Sequence, residues 1–177
     1  PLLWSECIDE SLVMFGDEAE IYFACHCWPE WGNENIRNFL EEQRDIYRYI
    51  HDQTLRLANS GYTPREIAEE VVEPEFMKHS FSVREYYGTL NHNIKATYQK
   101  YYGYFDGNPA NLHPHPPVKE GKKYIEAMGG ADSVISKAWA AFEEGDYRWT
   151  STILNHLVFA DPTNQVAREM LASTYEQ

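Results

Sequence analysis

The sequence predicts a mainly α-helical fold preceded by a short α/β stretch. Apolar residues recur at three-to-four residue intervals over most of the chain, and Gly and Pro punctuate those runs at regular places. Only one short run is β-prone. With 177 residues and 43% apolar side chains, the chain can build one cored domain, or one domain and part of another.

The elements are expected in this order. Trp4, Ile8, Leu12 and Phe15 give a helix over 2–15, with Gly16 as its stop. Ile21-Tyr22-Phe23-Ala24-Cys25 reads as a buried strand ended by His26-Cys27-Trp28-Pro29. A single strand leaves its backbone groups unpaired. Its partner is therefore either a strand without a clear signal or sequence outside these residues, and the second option would make the chain a piece of a larger fold. From Asn35 to about Asn59 a long amphipathic helix carries Ile36, Phe39, Leu40, Ile46, Tyr47, Ile50 and Leu57 largely on one face, with Gly61 as the stop.

Thr63-Pro64-Arg65-Glu66 has the pattern of a capping box with Pro at the first helical position. It opens a short helix of Ile67, Ala68 and Val71 that Glu73-Pro74 closes. A further helical stretch is expected over roughly 82–102, interrupted near Gly88 and ended at Gly103. A proline-rich linker follows over 105–117. Helices are then expected at about 118–128, 131–144, 147–160 and 163–176, separated by Gly129-Gly130, Gly145-Asp146 and Asp161-Pro162. The spacing of Ala141, Gly145, Tyr147, Leu154, Ala160, Pro162, Asn164, Ala167 and Leu171 resembles a tetratricopeptide-type helical hairpin followed by half of another.

The net charge of −13, from 28 acidic and 15 basic residues, repels phosphate backbones and anionic lipid, so no nucleic-acid partner is expected. No apolar run approaches the roughly 18 residues that a membrane span requires. The opening Pro1-Leu2-Leu3-Trp4 lacks the basic stretch of a signal peptide. Three cysteines, two of them at Cys25 and Cys27, do not form a disulfide framework.

His26, at the end of the expected strand, is the one credible metal ligand. Cys25-His26-Cys27 does not make a cluster, because alternate residues on a strand face opposite sides. His51, beside Asp52 in the long helix, reads as a helix-surface or packed residue. His113 and His115 read as capping or packing groups in the linker. His92, in Asn91-His92-Asn93 among tyrosines and amides, stands where an imidazole could be oriented for acid–base work. Neither a His-x-His-x-Asp-His, a His-Glu-x-x-His, a phosphate loop nor a Gly-x-Ser-x-Gly occurs.

Four stretches carry a resemblance to a known family: Phe23-Ala24-Cys25-His26-Cys27-Trp28-Pro29-Glu30-Trp31-Gly32; Gln43-Arg44-Asp45-Ile46-Tyr47 running on to His51-Asp52-Gln53-Thr54 and Asn59-Ser60-Gly61; Tyr86-Tyr87-Gly88-Thr89-Leu90-Asn91-His92-Asn93-Ile94-Lys95-Ala96; and Gly103-Tyr104-Phe105-Asp106-Gly107-Asn108-Pro109-Ala110, with Gly145-Asp146-Tyr147-Arg148-Trp149 and Asn155-His156-Leu157-Val158-Phe159-Ala160 later. In that order they resemble the class III alkylsulfatases, zinc-dependent enzymes of the metallo-β-lactamase superfamily that hydrolyse dodecyl sulfate and related esters. The resemblance implies that residues 1–33 end a metallo-β-lactamase-like catalytic domain and that 34–177 form a helical dimerisation domain. It also implies a homodimer, two zinc ions with His26 matching the last zinc-ligand histidine, and most other ligands outside this sequence. A second histidine of the family's pair is replaced by Cys27. His92 matches a histidine facing the sulfate ester, as a general acid for the departing alcohol oxygen, and Tyr104 matches a residue lining the substrate pocket. Family members are often periplasmic or secreted. The alternatives are a stand-alone helical interaction module without activity, and an independent metal-binding protein built on Cys25, His26 and Cys27.

Overall fold

In the computed structural model, which describes all residues from Pro1 to Gln177, nine α-helices and one two-stranded sheet form two compact units, Pro1–Asn108 and Pro109–Gln177.

The first unit is organised by its longest helix. Helix α1 (Leu2–Phe15) leads through a turn and a small hairpin to α2 (Asn33–Ala58). Ile36, Ile46, Ile50 and Leu57 are buried along α2, at intervals that keep them on one side of a 3.6-residue helix. α1 packs on α2, where Trp4 stacks on Tyr47 with ring centroids 6.1 Å apart and Arg44 Nη1 donates to Asp9 at 3.1 Å. α2 leaves its last turn through Gly61, at φ +89, with the Gly61 N–H donating to Ala58 O and the Tyr62 N–H to Leu57 O. That paired closure requires a left-handed residue, which glycine adopts without a Cβ clash.

Thr63 then opens α3 (Pro64–Glu70) with the expected capping box. Its hydroxyl accepts from the Glu66 N–H, while the Glu66 carboxylate accepts from the Thr63 N–H at 2.8 Å. The stretch expected to be helical over 82–102 with an interruption near Gly88 does break there and does end at Gly103, but it is α-helical only in its second part. A short α4 (Glu75–His79) and a 3-10 turn at Phe81–Val83 precede a non-helical stretch, and α5 (Leu90–Tyr102) begins only after Thr89. The reason is local. The Thr89 hydroxyl accepts from the His92 N–H at 3.1 Å and the Glu85 carboxylate accepts from the Leu90 N–H, so the first turn has its own caps and cannot continue upstream. Met77, Val83, Leu90 and Ile94 complete the core that Ile46, Ile50, Leu57 and Ile67 begin.

The expected buried strand over 21–25 is corrected. Strand β1 is only Ile21–Tyr22, paired antiparallel with β2, Glu30–Trp31, in register Ile21 with Trp31 and Tyr22 with Glu30. The missing partner therefore lies nine residues downstream in the same chain, in a strand too short to leave a sequence pattern. Ile21 and Phe23 are exposed, so the run is not buried within these residues. Tyr22 packs on Phe39 of α2, ring centroids 5.2 Å apart, and the Asn33 amide donates to Gly16 O at 2.6 Å.

The second unit has the four helices the sequence predicts: α6 (Pro117–Ala127), α7 (Ala131–Glu143), α8 (Tyr147–Ala160) and α9 (Gln165–Tyr175). Ile153, Leu154 and Leu157 of α8 lie at its centre with Val134, Ala138, Ala167 and Met170. Asp146 and Asn164 cap α8 and α9 through the Trp149 and Ala167 N–H groups. α6 meets α8 at Gly121, where a Cβ would stand 2.5 Å from the His156 carbonyl oxygen; beside it Tyr124 stacks on the His156 ring at 4.0 Å. His113 and His115 are exposed, so neither packs as expected.

Buried polar groups are satisfied throughout. Thr54, Thr97, Thr150 and Thr174 each return their hydroxyl to the carbonyl four residues earlier, and no buried side-chain nitrogen or oxygen lacks a partner.

Two substitutions test this packing. Gly121→Ala forces α6 off α8 and is expected to lower stability by about 1–3 kcal/mol. Leu154→Ala, at a fully buried position, is expected to cost about 2–5 kcal/mol. Urea denaturation followed by circular dichroism measures both, and an unchanged midpoint for Gly121→Ala contradicts the close approach.

Candidate functional site

The histidine singled out as a metal ligand, His26, sits in the loop over 23–29 between β1 and β2, not at the end of a longer strand. Its side chain is exposed, Cys25 beside it is exposed, and Cys27 is half-buried; all three cysteines of the chain are free thiols. No group of three or more His, Cys, Asp and Glu side chains is placed to hold a metal ion. One exposed imidazole can supply one bond to a metal, and a zinc centre needs three or four protein donors. The residues present do not make such a centre by themselves.

His92 occupies the first turn of α5, two positions after Leu90. The local sequence explains its presentation. Thr89 caps the helix, Leu90 and Ile94 turn the apolar side of α5 into the core, and His92 is left exposed on the opposite side. Its backbone N–H is taken by Thr89, while its imidazole has no partner within the chain. The turn that bears it is fastened from three directions. The Asn91 side-chain amide donates to Ala68 O of α3 at 3.1 Å and to Glu69 Oε1 at 3.2 Å, Lys95 Nζ donates to Asn91 Oδ1, and the Glu85 carboxylate holds the Leu90 N–H. Sequence reasoning did not single out Asn91 or Glu85. Polar residues near a helix start show no sign of which distant backbone group they will reach.

Tyr104 follows the end of α5 past Gly103 and is 77% exposed, its ring in contact with no other ring. His26, His92 and Tyr104 make no hydrogen bond or ring contact with one another. Both the imidazole of His92 and the phenol of Tyr104 are open to an outside molecule, and neither fills the core.

Of the two readings of His51, on the helix surface or packed, the structure shows the second. His51 is buried on α2, edge-on to Tyr101 of α5 with centroids 5.5 Å apart, and its Nδ1 lies 2.6 Å from Asp52 Oδ1. Burial alone would push the Asp52 carboxyl up. Hydrogen bonds from His51 and Arg48 and the charges of both residues outweigh it and leave the carboxyl below its ordinary value. No helix is long and apolar enough to cross a membrane.

Comparison with known proteins gives these positions a context. The sequence profile of the family described as alkyl sulfatase dimerisation matches residues 63–177. A linear primary-alkylsulfatase of a Pseudomonas species is 52% identical over the whole of this chain, which covers 26% of that protein. An alkyl/aryl-sulfatase of Saccharomyces cerevisiae is 51% identical over 98% of this chain, which covers 27% of it. Among solved structures, the stereoselective inverting sec-alkylsulfatase Pisa1 from Pseudomonas matches 98% of this chain with a TM-score of 0.95 and 47% identity, over 27% of its own length. The chain thus spans about a quarter of the length of the relatives it matches.

A carboxyl held below its unfolded value stabilises the fold above that value, and the contribution disappears as pH falls through the depressed folded value. Stability measured by urea denaturation is therefore expected to fall, in part through Asp52, only in strong acid, below the ordinary carboxylate range. Asp52→Asn should flatten that limb, by less than about 1 kcal/mol because the pair is half-exposed. An identical acid limb in Asp52→Asn removes Asp52 from the account.

Proposed function

Because this chain belongs to the alkyl sulfatase dimerisation family, we propose that it is the part of an alkylsulfatase that joins two subunits and forms one edge of the active site. The whole enzyme hydrolyses alkyl sulfate esters of the dodecyl sulfate type to alcohol and sulfate. In this reading residues 1–33 end a metallo-β-lactamase-like catalytic domain, 34–177 form the dimerisation region, and α7 to α9 are its tetratricopeptide-like hairpin and a half. Support comes from relatives at about half identity, all of them sulfatases by name, over nearly the full chain.

The single observation that carries the catalytic part is the exposed, unpartnered imidazole of His92 on a fastened helix turn. A general acid must be held rigidly, yet keep its nitrogen free for the substrate. In the hydrolysis, water loses a proton to solvent as its oxygen bonds to sulfur, the ester S–O bond breaks, and the departing alcohol oxygen takes the His92 proton, which solvent then replaces. Tyr104, exposed just beyond the same helix, lines the substrate side. His26 supplies one imidazole to a zinc centre whose remaining donors lie outside these 177 residues. When bound, the zinc would polarise the sulfate and water.

Release of sulfate from dodecyl sulfate by the full-length enzyme tests the reading. His92→Ala is expected to lower kcat on dodecyl sulfate by about 10²-fold or more, and His26→Ala to lower the zinc content per subunit. Wild-type enzyme with no sulfate release, or full turnover in His92→Ala, contradicts it.

A further inference from the structure

His92 alone does not explain why so many polar groups converge on its turn. Thr89 and Glu85 cap the first turn of α5, and Asn91 adds contacts that no helix cap requires. Asn91 is the odd member. Its amide reaches out of α5 to the last turn of α3, donating to the Ala68 carbonyl and to Glu69 Oε1, while its carbonyl oxygen accepts from Lys95 one turn along. The side chain is half-buried and every polar atom is used. Ala68 itself is buried, so the acceptor belongs to a wall of the core and not to a mobile loop. α3 is in turn held at its start by the Thr63–Glu66 capping box.

Apolar contacts set how close α5 lies to α3 and α2, but they leave rotation about the helix axis and sliding along it only loosely fixed. Directional hydrogen bonds at one end restrain both. Rotating α5 by one residue, about 100°, carries His92 from an outward position toward its neighbours. The bond from Asn91 to Ala68 is one residue from His92 and opposes that rotation. From this arrangement we propose that Asn91 is a positioning residue for sulfate-ester hydrolysis: by tying α5 to α3 it sets the direction in which the His92 imidazole faces the departing oxygen. The proposal rests on the general-acid reading of His92 given above. Asn91 touches no substrate in this account and acts only through its neighbour.

A positioning role and a purely structural one differ in what they do to different leaving groups. An alkanol leaves as a strongly basic alkoxide unless it is protonated, whereas a nitrophenol leaves readily without a proton. Loss or misalignment of the acid therefore slows alkyl sulfates far more than 4-nitrophenyl sulfate. General loss of folded enzyme slows both equally. The measurement is kcat for dodecyl sulfate and for 4-nitrophenyl sulfate in the full-length enzyme, for wild type, His92→Ala, Asn91→Ala and Asn91→Asp. The aspartate variant keeps an acceptor for Lys95 but sets a carboxylate against Ala68 O and Glu69 and cannot donate to either, so circular dichroism of each variant, together with the aryl-sulfate rate, guards against simple unfolding.

His92→Ala is expected to lower alkyl turnover about 10²-fold or more relative to aryl turnover. Both Asn91 variants are expected to lower the same ratio by about tenfold, and Asn91→Ala in the His92→Ala background is expected to lower it no further. If His92→Ala shifts the ratio and the Asn91 variants do not, or if the two effects multiply, the positioning role is overturned and the general acid stands. If His92→Ala leaves the ratio unchanged, the reading of His92 itself is overturned.

Discussion

The buried stripe of α2 is the constraint on which the first unit depends. Ile36, Ile46, Ile50 and Leu57 spread along a 26-residue helix, so one continuous apolar side serves several partners in succession. α1 covers its first half, and α3 and α5 pack about its second half. Whatever α5 presents to the outside is consequently referred to α2. The orientation of His92 on α5 is a by-product of Ile94 and Leu90 being drawn inward against Ile46, Ile50 and Ile67. The second unit repeats the plan with a different centre, as Ile153, Leu154 and Leu157 of α8 gather the surrounding three helices.

Hydrophobic burial supplies most of the driving force in both units, yet it does not choose among neighbouring registers. That choice falls to polar contacts at the helix ends. The Thr63–Glu66 box starts α3, Thr89 and Glu85 start α5, and Asp146 and Asn164 start α8 and α9. Asn33 and Gln43 tie α2 to the Gly16 and Ser82 carbonyls across the unit. Removing such contacts is expected to blur geometry before it melts the fold, which is where a site on a helix end would register the loss first.

Much of this was legible in the residues. α6 to α9 were placed within a few residues because Gly129-Gly130, Gly145-Asp146 and Asp161-Pro162 leave no choice of boundary. The Thr63 capping box was read from four letters. Three features were not legible, each for a physical reason. β2 is two residues long, below the length at which alternation can be seen. An interruption is expected near Gly88, but its extent over 84–89 is set by the caps at Thr89 and Glu85 and leaves no sequence pattern. α4 is five residues long, too short to show a period. As for the site, His26, His92 and Tyr104 were picked out from the sequence by resemblance. Their exposure, and the Asn91 contact that fastens the turn of His92, depend on tertiary packing that leaves no local sequence pattern. The run 21–25 was expected to be buried because it is apolar, and exposed Ile21, Phe23, Trp28 and Trp31 show how poorly apolar content alone predicts burial at a hairpin.

The central claim is that this segment holds two sulfatase subunits together, and the mass of the 177-residue polypeptide in solution tests it most directly. The chain weighs 20.7 kDa, and sedimentation equilibrium at micromolar concentration is predicted to return twice that value. A single species at 20.7 kDa, unchanged as concentration rises tenfold, would contradict the claim.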